Sequence, residues 1–286
     1  MPTTVRLASP PDEASHDQTL HTALGQLRQR FGSGVAECPD AAPPVAAIST
    51  GNVALDRAIG VGGVPRGRIT EVYGPDGAGK TTLALSVIAQ AQRAGGTACF
   101  IDAEHALDLG WAATIGVDLE HLVLCRPEHG EQALQVADVL VRSGAVDVLV
   151  IDSIAALVPK AELDGEMGER HAGVQANLLS QALRKLAGPI ARAGAAVLVT
   201  NQLRQRAGHP GMPVYTSGGR ALGYYASLRL DVRSLGQVRD SGQVVGSRLR
   251  VQVTKNKVAP GWQVAELEVT CDRGVWMEAM PEAASA

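Results

Sequence analysis

The sequence has no apolar run long enough to cross a membrane, which takes about 18 residues. Its first residues, "MPTTVRLASPPDEASHD", lack the apolar core of a secretory signal, and residues 1–15 are predicted to be a disordered lead. Positive charge is not in excess, because the formal net charge is −3. These absences argue against a membrane protein and against a globally basic nucleic-acid binder, but a local basic loop is compatible with them.

Cysteine is scarce and forms no C-x-x-C pair; the four residues are Cys38, Cys99, Cys125 and Cys271. Reduced thiols in a cytoplasmic protein are the favoured interpretation. The seven histidines show no metal-ligand spacing either.

What the sequence does have is an alternation of apolar strands and helical patterns, with 32 glycines among 286 residues. Strands are predicted at 68–74, 97–102, 122–127, 146–152 and 195–202, with helices at 80–93, 109–115, 130–143 and 174–193. Such an alternation predicts an α/β fold with a mostly parallel sheet covered on both faces. Period-2 patterns at 225–233, 247–257 and 265–270 then predict antiparallel strands at the carboxyl-terminal end.

The amino-terminal region, 16–47, is predicted to be an arm made of a helix and a linker. Apolar residues recur at helical spacing through 19–31, and the segment 32–47 is rich in Pro, Gly and Ala. The helix must bury its apolar stripe on its own domain or on a neighbouring subunit. The core is predicted at 48–272, followed by a short tail at 273–286.

The strongest motif is "GPDGAGKTT", in which Gly74–Thr81 matches the phosphate-loop pattern G-x-x-x-x-G-K-[ST]. It follows a predicted strand and opens a predicted helix, and this context argues against a chance match. The backbone N–H groups of such a loop cradle a polyphosphate. Lys80 is expected to reach the phosphates, and the Thr81 hydroxyl is expected to bind Mg²⁺.

Carboxylates follow two other predicted strands. Asp152 ends "VDVLVID" and suits the acidic partner of a phosphate loop, although many buried strands end in Asp. Glu104, in "FIDAEHALD", is the candidate for orienting or deprotonating an attacking water. Asp102 and Asp108 have helix capping as an alternative role.

The segment "NQLRQRAGHPGMPVYTSGGRALGYY" (201–225) shows no clear period through much of its length. A segment of this kind is a functional loop, a linker or a sign of wrong element assignment. Arg204 and Arg206 give it local positive charge, for which a solvated loop surface is the alternative explanation.

With these motifs in place, the chain resembles the bacterial RecA recombinase family. The resemblance extends from about 23 to 268 and includes "FIDAEHALD", "GEQAL", "RSGAVDV", "SQALRKLAG" and "VTKNKVA". It implies an ATPase core of the RecA type with an amino-terminal oligomerisation helix. It also implies helical filaments on single-stranded DNA, pairing with homologous duplex DNA, and ATP bound between adjacent subunits. The segment 201–225 becomes a DNA-binding loop.

The resemblance implies roles for residues at the nucleotide. Gly74, Pro75, Asp76, Gly77, Ala78, Gly79, Lys80, Thr81 and Thr82 would hold ATP, with Asp108 and with Trp111 stacked on the adenine. Glu104 would be the general base, and Thr81 and Asp152 would hold Mg²⁺. Gln202 would sense the γ-phosphate. Lys255 and Lys257 would reach the ATP of the adjacent subunit, whereas "KNK" alone would indicate only a solvated strand end.

DNA contacts are implied at Ala172, Gly173, Ser180, Arg184, Arg204, Arg206, Gly218, Gly219 and Arg220. The family pattern is broken at three of the positions concerned. Gly223 replaces a lysine of the inter-subunit phosphate contacts, Asn177 replaces a DNA-contacting arginine, and Ala172 replaces a wedging methionine. By the same comparison, the second loop is expected to be one residue shorter and the family's carboxyl-terminal domain is expected to be missing.

The leading hypothesis is therefore a DNA-dependent ATPase that supports strand exchange in recombinational repair. A truncated paralogue is the alternative, acting as an ATP-regulated accessory of a full-length recombinase without exchanging strands itself. A phosphate-loop kinase for a small molecule is a third reading, against which no acceptor pocket or lid motif is visible in the sequence.

Overall fold

The computed structural model describes residues 13–32, 34–36, 44–169, 171, 173–204, 215–270 and 276–278. It contains two compact units, one ending at Pro44 and the other beginning at Val45. Several sequence predictions lie outside the described residues, namely most of the lead, Ala172, Arg206 and the loop between 204 and 215. The side chain of Arg204 lies outside them as well. Residues 13–15 of the predicted disordered lead are described and belong to a helix instead.

The described residues of the first unit include one helix, α1, at Glu13–Phe31. It begins six residues earlier than the apolar spacing predicts, because the preceding polar residues continue the same turn. Leu20, Leu27 and Phe31 of its apolar stripe are exposed in the single chain. The role of this helix in subunit packing stays a prediction.

The second unit is built on a large sheet. Its strands are β3 (Ile69–Gly74), β4 (Ala98–Asp102), β5 (Leu122–Cys125), β6 (Val148–Asp152), β7 (Ala196–Arg204), β8 (Tyr215–Thr216), β9 (Leu228–Asp240), β10 (Gln243–Asn256), β11 (Val264–Thr270) and β12 (Trp276–Glu278). The strand order is β12-β11-β10-β9-β3-β7-β6-β4-β5, and β8 pairs with β7. A separate pair joins β1 (Ala47–Ile48) to β2 (Val64–Pro65).

The pairing confirms the predicted mixed sheet. Strands β9, β3, β7, β6, β4 and β5 are mutually parallel, whereas β10, β11 and β12 pair antiparallel beyond β9. The prediction of a strand over 225–233 and 247–257 was wrong in extent. Strands β9 and β10 form one long hairpin turning at Ser241 and Gly242, and Tyr225 belongs to a helix instead. Polar residues and glycines interrupt the apolar period of 2 in this hairpin, so its full length does not show in the sequence pattern.

Helices cover both faces of the sheet, as predicted. They are α2 (Val53–Ile59), α3 (Lys80–Arg93), α4 (Leu109–Ile115), α5 (Gly130–Ser143), α6 (Lys160–Leu163), α7 (Val174–Ala193) and α8 (Ala221–Tyr225). Four of them coincide residue for residue with the sequence prediction. One buried cluster packs α5 and α7 on the sheet, a second packs α3 and α4 on the other face, and a third joins α2 to the antiparallel strands.

This topology brings the carboxyl ends of β3, β4, β6 and β7 to one edge. Asp102 pairs in register with Asp152, and Gly74 pairs with Gln202. Ligands of open α/β sheets bind at such an edge, so the predicted site residues converge there. Within the part of the chain that is described, no helix has the length and apolarity of a membrane span.

Candidate nucleotide site and its neighbouring loops

The phosphate loop joins β3 to α3 at this edge. Gly77 and Gly79 have φ values of 69° and 88°, in the left-handed region that glycine adopts without strain. A Cβ on Gly79 would also lie 2.7 Å from Leu249 Cδ1, so a larger residue would displace that side chain. The resulting curl leads directly into the amino terminus of α3, where N–H groups and the helix dipole favour an anion.

Lys80 lies inside the curl of the loop. Its Nζ donates to the carbonyl oxygens of Pro75 at 2.7 Å and Gly74 at 3.2 Å. Burial lowers the pKa of Lys80, and the carboxylates of Asp76 and Asp152 offset only part of that effect. When a phosphate binds, the ammonium can therefore exchange its two neutral carbonyl partners for charged phosphate oxygens.

Two hydroxyls hold the carboxylate of Asp152. Thr81 Oγ1 donates to Asp152 Oδ2 at 2.7 Å, and Thr200 Oγ1 donates to Oδ1. Burial raises the pKa of Asp152, although both hydrogen bonds counteract it, and the charge of Glu104 raises it further. The hard oxygen donors of Thr81 and Asp152 suit Mg²⁺ as a ligand set.

Glu104 faces the same site from the loop after β4. Its Oε1 accepts a 2.5 Å hydrogen bond from Ser153 Oγ and a 3.5 Å hydrogen bond from Gln202 Nε2. The side chains predicted as base and as γ-phosphate sensor are therefore in contact. Sequence reasoning missed Ser153, although its position directly after Asp152 in "VIDS" was an available signal.

The loop that carries Glu104 is held by Asp102, one of the two residues for which capping was an alternative. Asp102 carboxylate oxygens accept from the N–H groups of Ala106 at 3.1 Å and Leu107 at 3.2 Å, and Arg126 Nε lies 3.6 Å away. Asp102 is almost fully buried. It therefore shapes the backbone beside the site, whereas Glu104 is exposed on this loop and faces the cavity.

These groups line one cavity of about 380 Å³, bounded by residues 76–82, Glu104, Asp152 and Gln202. Every one of these residues was predicted from the sequence. Gly74 and Pro75 do not line the cavity, but their carbonyl oxygens accept hydrogen bonds from the Lys80 ammonium.

A second cavity, of about 130 Å³, adjoins the phosphate loop at Trp111. Trp111 Nε1 donates to Thr82 Oγ1 at 3.2 Å, and Asp108 caps α4 by accepting from the Trp111 N–H at 3.0 Å. The far wall is formed by Ser247, Leu249 and Val269. These three residues lie far along the chain, on β10 and β11, so no local motif could assign them to a site.

Lys255 and Lys257 lie away from this cavity. Lys255 Nζ donates to the carbonyl oxygens of Gly223 at 2.7 Å and Tyr224 at 3.2 Å, and Lys257 Nζ donates to Tyr224 O at 3.4 Å. The pKa of Lys255 is lowered by burial first and then by the charges of Lys257 and Arg229. Both ammonium groups thus bind the last turn of α8, where the helix dipole favours cations.

Among the described residues, those predicted to bind DNA lie on α7 and on the segment between β8 and α8. Gly173 is the N-cap of α7, Arg184 is exposed on that helix, and Ser180 is half-buried there. Gly218 and Gly219 both have φ of 80°. A Cβ on Gly218 would lie 2.4 Å from Leu179 Cδ1, so this glycine is required for packing on α7, a role the sequence did not reveal. Arg220 is exposed before α8.

Fold and site together define a phosphate-loop nucleotide-binding protein of the α/β class. A family model described as RecA N-terminal domain matches residues 18–276. Among curated relatives, Protein RecA of Rubrobacter xylanophilus is 54% identical over 264 residues, which cover 91% of this chain and 77% of the relative. Protein RecA of Geobacter sulfurreducens is 52% identical over 266 residues, covering 92% and 79%.

The chain belongs to the RecA family. Among solved structures, a crystal structure of the RadB recombinase matches with a TM-score of 0.62, covering 82% of this chain and all of that one. At 22% identity this likeness supports the fold alone. Membership of the family implies a nucleotide-binding, recombination-related ATPase.

Proposed function

We propose that this protein is a DNA-dependent ATPase that forms helical filaments on single-stranded DNA and supports homologous pairing and strand exchange. One observation carries the proposal: Gln202 lines the nucleotide cavity and lies on the same strand, two residues before Arg204, where the DNA loop begins. Gln202 can link the two sites, because its side chain contacts Glu104 and its carbonyl oxygen accepts from the N–H of Ser217, where the chain returns from the loop.

The hydrolytic step depends on charges and hydrogen bonds already in place. The phosphate loop binds the triphosphate with its N–H groups, and Lys80 transfers its ammonium from carbonyl oxygens to phosphate oxygens. Thr81 and Asp152 would hold Mg²⁺, which would supply positive charge for the phosphate groups. Glu104 accepts the proton of the attacking water, while the Ser153 hydroxyl fixes the orientation of its carboxylate.

Self-association completes the site in this proposal. Lys255 and Lys257 of one subunit contact the γ-phosphate bound to the next, where two ammonium groups stabilise the transition-state charge. Their hydrogen bonds to α8 must then be exchanged for phosphate contacts. Since α8 directly follows the DNA loop, hydrolysis in one subunit is sensitive to DNA bound by its neighbour.

The test combines ATP hydrolysis, with and without single-stranded DNA, and electron microscopy of the same mixtures. The expected result is DNA-stimulated hydrolysis together with regular helical filaments that exchange strands with duplex DNA. A Lys80→Ala variant serves as control and is expected to lose nucleotide binding. Filaments without strand exchange would favour an accessory partner of a full-length recombinase. Hydrolysis indifferent to DNA would refute the proposal.

A further inference from the structure

A charged side chain outside the nucleotide cavity lies at the centre of the sheet. Glu71 is in β3, between β7 and β9, and is fully buried. Both of its oxygens are bonded: Oε1 accepts from Asn201 Nδ2 at 2.9 Å, and Oε2 accepts from Arg229 Nε at 2.5 Å. A buried charge is costly unless it is paired and hydrogen-bonded, so the position demands these partners.

One arm of this arrangement leads to the nucleotide sensor. Asn201, itself fully buried, accepts the backbone N–H of Gln202 on its Oδ1 at 2.9 Å. Its amide nitrogen also donates to the carbonyl oxygen of Ser217 at 3.1 Å. Through the Asn201 side chain, Glu71 therefore holds two points of the chain. One is the strand directly before Gln202, and the other is Ser217, where the chain returns from the DNA loop.

The other arm leads to the lysine strand. The Arg229 guanidinium stacks on the Tyr73 ring at 4.7 Å from its centroid. Tyr73 Oη lies 2.9 Å from Thr254 Oγ1, and Thr254 Oγ1 donates back to Arg229 O at 3.3 Å. Thr254 directly precedes Lys255, whose ammonium binds Gly223 O in α8.

We propose that Glu71 is a positioning residue that couples Gln202 to Lys255 and Lys257 through these two arms. It touches neither nucleotide nor DNA. Stability alone does not account for it, because a well-packed apolar side chain in place of a buried ion pair is often as stable. The carboxylate instead fixes β7, which carries Gln202, relative to β9, which pairs with the lysine strand β10. In the proposed function, Gln202 and the lysines contact two different ATP molecules. This inference rests on the proposed function, in which the lysines act on the adjacent subunit's ATP.

The variant Glu71→Gln tests the coupling. Glutamine keeps the size of the side chain and an acceptor for Asn201, but it removes the charge that binds Arg229. The measurements are the Kd for a fluorescent ATP analogue with Mg²⁺, and kcat and KM for ATP with saturating single-stranded DNA. We expect Kd and KM within about twofold of the parent, since the phosphate loop is untouched, and a fall in DNA-stimulated kcat of roughly tenfold or more.

Asp147→Asn is the matched control. Asp147 also binds an arginine, with 2.7 Å between Arg66 Nη1 and Asp147 Oδ1, but it lies at the opposite, amino-terminal edge of the parallel strands. It is expected to leave kcat unchanged. If Glu71→Gln does not fold, Arg229→Lys keeps a cation beside Glu71 but removes the planar guanidinium that stacks on Tyr73, and it should reproduce the fall in kcat.

The outcomes separate the inference from the proposal beneath it. A parent protein without DNA stimulation would overturn the proposed function and the inference with it. A parent with DNA stimulation, together with Glu71 or Arg229 variants stimulated to the same degree, would overturn the inference alone. Equal losses in Glu71→Gln and Asp147→Asn would show that kcat follows general stability, which would also overturn it.

Discussion

Substitution of Glu104 by glutamine tests the site most directly. The carboxylate accepts hydrogen bonds from Ser153 and Gln202, and an amide oxygen of the same size still accepts both. What disappears is the group that takes a proton from water. General acid–base catalysis contributes roughly 10²–10⁴-fold, which corresponds to about 3–5 kcal/mol of activation free energy. We expect kcat for ATP hydrolysis to fall by that factor.

Other properties of the Glu104→Gln variant should stay near those of the parent. Because the side chain is exposed, the free energy of unfolding should change by no more than about 0.5 kcal/mol. Nucleotide affinity should be unchanged or higher, since a negative charge beside Lys80 and the triphosphate is removed. Single-turnover hydrolysis measures the chemical step, and equilibrium titration with a fluorescent ATP analogue measures affinity.

Glu128→Gln, another exposed glutamate, is the matched control and should hydrolyse ATP like the parent. Hydrolysis by Glu104→Gln within about threefold of the parent would refute the assignment of the general base. A variant that loses nucleotide binding instead would show that Glu104 holds the phosphate loop rather than the water.

Three further changes have expected outcomes. Gly223→Lys places its Cβ no closer than 3.9 Å to other heavy atoms and should speed DNA-stimulated hydrolysis by roughly threefold or more in a steady-state assay, since it restores a cation of the family pattern. Gly74→Ala puts a Cβ 2.1 Å from Val232 O and should lower the free energy of unfolding in urea by about 1–3 kcal/mol. Burial raises the pKa of Asp147, but hydrogen bonds from the Arg66 guanidinium and a backbone N–H, with the charge of Arg66, outweigh it and lower the pKa. Because that folded-state pKa is depressed, Asp147→Asn should cost about 1 kcal/mol near neutral pH, with the deficit closing as unfolding is measured below about pH 4.

Most of the nucleotide site could be predicted from the sequence, because that site is built from local motifs. Lys80, Glu104 and Asp152 each follow a strand of the parallel sheet, and parallel strands bring their carboxyl ends to one edge. Helix bounds such as Lys80–Arg93 were predictable for a similar reason, since glycines and a regular apolar period mark both ends.

The remainder depends on contacts between distant parts of the chain. Nothing in "RITEVYG" indicates that Glu71 pairs with Arg229, 158 residues away, although a glutamate inside a buried strand calls for some partner. Leu249 and Val269 likewise reach the second cavity only because the long hairpin and β11 extend the sheet past the phosphate loop.

In the proposed function, the anchoring of Asn201 limits how a bound nucleotide would act on DNA. Asn201 is fully buried and bonded to Glu71 and Ser217, whereas its neighbour Gln202 reaches into the cavity. A rearrangement of the Gln202 side chain therefore meets a fixed strand on its amino-terminal side. On its carboxyl-terminal side the chain runs through Arg204 into the loop, which is tied down again at Ser217. In the proposed function, a change at the γ-phosphate would therefore be passed through Gln202 to the chain that follows it, and the buried strand before it would stay in place.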